Sequence, residues 1–140
     1  MRRLVVDPGV LVSALITPSG PPAEIVRAIL DERLRLVACP HLLAELLGVL
    51  EREKFRRYVT IGEAQQYVAG IASIAEVRPD PAAEARISRD PKDDYLLALA
   101  RESAADAIVS GDADLLVLDD TEPPVVTPTT VVERLAAEPT

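Results

Sequence analysis

The chemistry open to this chain is carboxylate chemistry. It carries 23 Asp and Glu against 15 Lys and Arg, with one histidine and one cysteine. His41 has no spacing partner for a metal pair or a catalytic triad and reads as a surface or capping residue. Cys39, two positions before it, reads as a small apolar strand-end residue rather than a reactive thiol. Carboxylates that converge repel one another and raise one another's pKa unless a divalent cation sits among them. The net charge of −8 argues against holding nucleic acid by bulk positive potential. An acidic protein that meets phosphate through a bound cation is physically consistent with the same charge.

Position selects among the acids. In open parallel sheets, ligands bind beyond the carboxyl ends of the strands, so acids that follow strands carry most weight. Asp7 follows Leu4-Val5-Val6, and Asp112 follows Ile108-Val109-Ser110-Gly111. Either also reads as a turn-forming Asp. Asp93 falls on one helical face with Leu96, Leu97 and Ala100, so it points with the apolar side, while Asp94 is rotated toward solvent. Alone, Asp93 reads first as an acid completing a helix cap. Glu45 borders the apolar stripe made by Leu42, Leu46 and Val49, where a solvated Glu is the ordinary alternative.

The elements that must hold these acids alternate between strand and helix. Residues 3–6 form an apolar run ending at Asp7, with Pro8-Gly9 as punctuation. A helix is expected over 23–31, a strand over 34–38, and a helix from Pro40, suited to the first helical position, through Leu50. Further helices are expected over 60–75 and 82–87, then from Pro91, capped by Asp90, to Glu102. Strands follow at 107–110 and 125–126, with a short apolar stretch at 115–118, and a last helix is capped by Thr129 or Thr130. The expected fold is α/β, a mostly parallel sheet flanked by helices in a single domain over 1–140. With 49% hydrophobic but only 3% aromatic residues, the core must be aliphatic, as suits parallel strands covered by helices.

Four segments in order carry a family resemblance. They are Leu4 to Ala14 around Asp7, Leu42 to Leu50 around Glu45, Asp90-Pro91-Lys92-Asp93-Asp94-Tyr95 to Ala100, and Ser110-Gly111-Asp112-Ala113-Asp114-Leu115-Leu116. Together with the ending Val125 to Leu135, they resemble the successive motifs of PIN domains, over essentially the whole chain. Within the family they look most like the toxins of toxin–antitoxin systems, VapC-like ribonucleases. The resemblance implies Asp7, Glu45, Asp93 and Asp112 as metal-site acids for Mg²⁺ or Mn²⁺. It implies Asp114 as an additional ligand or supporting acid, Asp94 as the alternative to Asp93, and Ser110 as a hydroxyl bonding metal-bound water. It also implies a metal-dependent ribonuclease acting on RNA, an antitoxin partner and a homodimer. RNA contact falls to Arg52, Lys54, Arg56 and Arg57 beside Phe55 and Tyr58, a cluster that Glu51 and Glu53 could instead simply pair. One departure stands out: the family usually follows its first Asp with a small polar residue and Asn, and this chain has Pro8 and Gly9. That departure motivates a second reading, a catalytically impaired PIN-like domain that binds RNA or a protein partner.

Other folds that place an Asp after strand one fit less well. A haloacid-dehalogenase-type phosphotransferase wants Asp-x-Asp, and a receiver domain wants a late Lys, whereas no Lys follows Lys92. The first residues, Met1 to Asp7, do not read as a signal peptide, and no apolar run reaches the about 18 residues of a membrane span. With a lone cysteine, a reducing cytoplasm is the expected compartment.

Overall fold

The computed structural model describes residues 2–82, 94–112, 116 and 122–138. Among these residues five parallel strands, β1 (Arg3–Val6), β2 (Arg35–Ala38), β3 (Glu76–Val77), β4 (Ala107–Val109) and β5 (Val125–Val126), form one sheet in the order β3-β2-β1-β4-β5. Helices α1 (Pro8–Ile16) and α2 (Pro21–Leu30) link β1 to β2. Helices α3 (Pro40–Leu50) and α4 (Ile61–Ile74) link β2 to β3; α5 (Asp94–Glu102) precedes β4, and α6 (Pro128–Ala137) follows β5.

Burial explains the sheet. Leu4, Val5 and Val6 are wholly inaccessible, as are Leu36, Val37, Ile108 and Val109 on the neighbouring strands. Strands apolar on consecutive residues must be covered on both faces, so they sit in the middle of a parallel sheet between helices. Register places Leu4 opposite Leu36 on one side and Ala107 on the other. The outer strands β3 and β5 are only two residues long. α1 packs on α2 and α3, and α3 packs on α4, whereas α5 packs on β1 and β4.

Strand order also fixes where a ligand can enter. From β1 the chain steps outward to β2 and β3, then returns past β1 to lay down β4 and β5. Right-handed crossovers put connections running in opposite directions on opposite faces, which opens a crevice where the direction reverses. That reversal lies between β1 and β4, the two strands that lead into Asp7 and Asp112.

Several expectations need correction. Pro8-Gly9 does not merely end β1; Pro8 occupies the first turn of α1, with Asp7 as its N-cap. A Pro there loses no helical hydrogen bond and has a suitable φ, so the apparent breaker starts a helix. The last helix is capped by Thr127, whose hydroxyl accepts from the Thr130 amide at 3.2 Å, and not by Thr129 or Thr130. Strand β3 is absent from the sequence reading because its two residues are half-exposed and carry no apolar pattern. Ala82 lies outside any helix, and the rest of the helix expected over 82–87 falls outside the described residues, as does the Asp90-Pro91 start of the helix ending at Glu102. Helices 40–50 and 61–74 match expectation, the latter closed by a Thr60/Glu63 capping box.

Candidate functional site

At the reversal point, three groups interlock. Asp7 leaves β1 with its amide still bonded to the Val109 carbonyl of β4 at 2.9 Å. Its Oδ1 accepts from the Gly9 amide at 2.9 Å, which caps α1. Its Oδ2 accepts from the Ser110 hydroxyl at 2.8 Å. The Ser110 oxygen in turn accepts from the Asp112 amide at 2.9 Å. Ser110 is completely buried, so this one hydroxyl joins the two acid-bearing strand ends out of reach of solvent. Asp7 and Asp112 both line a cavity of about 440 Å³, together with Gly9, Val10, Ser13 and Pro128. A groove of equal volume between α2 and α6 is lined by Glu24, Arg27, Asp31 and Arg33, but it lies on helix flanks and mixes both charge signs. The strand-end cavity is the one with the chemistry.

Glu45 stands on the adjoining α3. Its Oε1 accepts from the Tyr95 hydroxyl at 3.1 Å, and His41 Nε2, one turn earlier, lies 3.8 Å from the same oxygen. The His41 ring meets Tyr95 edge-on with centroids 4.2 Å apart. Burial, then the nearby Glu45 carboxylate, push the Tyr95 phenol far above its ordinary pKa; Asp7 adds a smaller push in the same direction. Asp7 and Glu45 are therefore both within electrostatic reach of one phenol. The α3 N-terminus is capped from a distance: Asp80 Oδ1 accepts from the His41 amide at 2.8 Å. Cys39, at the N-cap position, makes no side-chain capping bond, and burial pushes its thiol up to about 11.

A PIN-domain family model matches residues 3–114. The chain belongs to the PIN-domain family. PIN domains are generally nucleases, and the family's nucleases generally use divalent metals. Over 118 residues the chain is 30% identical to an uncharacterized protein, MJ1680, of Methanocaldococcus jannaschii, covering 84% of this chain and 76% of that one. The crystal structure of PAE2754 from Pyrobaculum aerophilum superposes with a TM-score of 0.66 at 20% identity, covering 99% of this chain and 91% of its own. VapBC2 from Rickettsia felis, bound to a DNA fragment from their promoter, superposes at 0.57 and 12% identity, covering 89% and 98%. Both superpositions show a shared α/β fold.

Within this PIN domain the anticipated acids divide three ways. Asp7 and Asp112 meet at one cavity, with Ser110 between them. Glu45 is held to α5 through Tyr95. Asp93 and Asp114 lie outside the described residues. Among the described residues no three His, Cys, Asp or Glu side chains converge as a metal cluster. The donor chemistry nevertheless fits a hard cation, because two carboxylates face one cavity and Mg²⁺ takes only one or two direct carboxylates, filling its shell with water. Asp94, expected to face water, is half-buried at the first described turn of α5.

Three of the side chains singled out in the sequence make specific contacts. The Ser110 hydroxyl is already committed on both sides, to Asp7 and Asp112. His41 does have a partner: Glu45 lies at i+4, a helical spacing legible in the sequence but read only against histidine and triad patterns. Of the basic cluster, Arg52, Lys54 and Arg57 are exposed, with Lys54 over the Phe55 ring at 5.1 Å and Arg57 over Tyr58 at 5.5 Å. Arg56 instead folds back to donate to the Leu50 and Arg52 carbonyls, satisfying the end of α3. Nothing local in the sequence marks Tyr95 for a role, since a Tyr beside a run of leucines reads as core.

Proposed function

We propose that this PIN domain is a metal-dependent endoribonuclease that hydrolyses phosphodiester bonds in RNA, serving as the toxin of a toxin–antitoxin pair. The observation that supports it most is the placement of Asp7 and Asp112 on one cavity at the sheet's reversal point, tied through a buried Ser110. In this reading Asp7, Asp93 and Asp112 hold the cation, Asp114 supports it, and Glu45 holds a second cation or orients water. Bound Mg²⁺ or Mn²⁺ supplies an activated water and charge relief on the phosphate. The chain's own residues do the positioning. Ser110 and the Gly9 amide fix both oxygens of Asp7, so Pro8-Gly9 still provides a backbone donor to that carboxylate. No side-chain nucleophile is required. Cys39 is buried with its thiol raised, and Ser110 is engaged by carboxylate and amide.

Arg52, Lys54 and Arg57, which follow the C-terminal end of α3, would meet the RNA backbone. The likeness to VapBC2 from Rickettsia felis supports an antitoxin partner by analogy. A homodimer and a cytoplasmic setting belong to the same proposal; among the described residues no helix is long and apolar enough to cross a membrane. The test is cleavage of a panel of single-stranded and structured RNA, with DNA alongside, in Mn²⁺ or Mg²⁺. Native protein is compared with Asp7→Asn and Asp93→Asn. RNA cutting abolished by EDTA and by both substitutions supports the reading, and cutting that survives EDTA refutes it. Silence of the native protein, with no metal-induced rise in melting temperature, transfers the assignment to an impaired domain that binds RNA or protein.

A further inference from the structure

We infer that Tyr95 is a positioning residue for Glu45, its hydroxyl fixing one carboxylate oxygen so that the other is offered to the cation or its water. The inference rests on the metal-nuclease reading and adds a residue to it. Glu45 is on α3 and Tyr95 on α5, elements in different halves of the sheet's connectivity, and the hydroxyl spans them at 3.1 Å. Among the described residues Glu45 Oε2 accepts no hydrogen bond, while Oε1 faces both the Tyr95 hydroxyl and, at 3.8 Å, His41 Nε2. A glutamate free to rotate about three side-chain torsions would present either oxygen; a donor on one of them selects the other. The His41 ring, edge-on at 4.2 Å, holds the Tyr95 ring in place from the α3 side. Tyr95 also lies two positions beyond Asp93 in the sequence, so an anticipated ligand and the donor that orients another are near neighbours along the chain.

Outer hydrogen-bond partners of ligating side chains are generally worth about 10- to 100-fold in metal affinity or activity, which sets the size of effect to look for. The full chain as native protein, Tyr95→Phe, Glu45→Gln, Asp7→Asn and the Tyr95→Phe/Glu45→Gln pair would be titrated with Mn²⁺ by calorimetry. RNA cleavage would be followed across Mn²⁺ concentrations. Tyr95→Phe keeps the ring against His41 and removes only the donor. It is expected to raise the Mn²⁺ Kd about 10-fold or more and to lower kcat at low Mn²⁺. RNA KM should stay within about twofold, and high Mn²⁺ should restore the rate. Added to Glu45→Gln, it should change Mn²⁺ affinity by less than about twofold, because the contact it acts through is already altered. A purely structural tyrosine would instead lower stability without this Mn²⁺ rescue. The inference is overturned if Tyr95→Phe binds Mn²⁺ as the native protein does, or loses as much affinity in the Glu45→Gln background as alone. Native behaviour of Glu45→Gln, with Asp7→Asn impaired, sinks the inference and leaves the nuclease reading standing. Native behaviour of Asp7→Asn as well, or a native protein that takes up no Mn²⁺, removes both.

Discussion

Replacing Ser110 by Ala tests the centre of the site most directly. The side chain is fully buried and makes two hydrogen bonds, donating to Asp7 at 2.8 Å and accepting from the Asp112 amide at 2.9 Å. A bond to a carboxylate is worth about 1.5–3 kcal/mol and an ordinary one about 1 kcal/mol, but Asp7 is half-exposed and recovers part of the loss from water. The expected cost is therefore about 2 kcal/mol. For a chain of 140 residues, with unfolding entropy near 2 cal/mol/K per residue, that is a fall of roughly 7 °C in melting temperature. Calorimetric melts of native protein, Ser110→Ala, Asp7→Ala and the double variant would measure it. In the Asp7→Ala background Ser110→Ala should cost only about 1 kcal/mol, the share owed to the Asp112 amide. A Ser110→Ala melt within a degree of native, or full additivity with Asp7→Ala, would refute the idea that this hydroxyl joins the two strand ends.

Three further outcomes are expected of the same molecule. Gly9→Ala places a Cβ 3.6 Å from Asp7 Oδ1, an ordinary contact, in the first turn of α1, so urea unfolding should show a gain of about 0.5–1 kcal/mol; a loss would contradict the helical start. Glu76 is held below its usual pKa chiefly by a two-pronged contact from Arg3 at 2.8 and 2.9 Å, then by Arg78, and Asp106 is lowered by the backbone amides of Arg3 and Arg2. A lowered folded pKa gives stability that is present above pH about 4.5 and lost as pH falls through the folded value. Glu76→Gln should accordingly melt below native at pH 7, by about 1 kcal/mol after solvent screening. The gap should close toward pH 2, and a constant gap would be inconsistent with this linkage. Cys39, buried and with its thiol pushed up to about 11, should label with a disulfide reagent at pH 8 only as fast as the protein opens, so rapid labelling would show the strand end to be accessible.

The legible parts of the fold were those with strong local signals. β1, β2 and β4 are short aliphatic runs between breakers, and α3 and α4 have periodic apolar faces opened by Pro40 and Thr60. Asp7 and Asp112 stood out because acids after buried strands are placed by topology, and they do share a cavity. What local reading missed depends on distant partners or on one residue serving two roles. Pro8 looks like a stop from the strand side and a start from the helix side, and only burial of Val10, Leu11 and Val12 decides between them. β3 exists because Glu76 pairs beside Val37 and is gripped by Arg3 from across β2, neither of which is a local property. Tyr95 and Glu45 are 50 positions apart, so no helical spacing connects them.

The two-residue outer strands govern how this molecule can meet others. Among the described residues each sheet border offers a brief row of backbone donors and acceptors, and the β3 border carries the Arg3–Glu76–Arg78 ion cluster beside it. A border so short, and on the β3 side so charged, is a poor template for strand addition by a second chain. Assembly by extending the sheet is thereby disfavoured, and with it edge-to-edge aggregation. Among the described residues, the side chains of the surrounding helices and turns offer a tight partner the better footing.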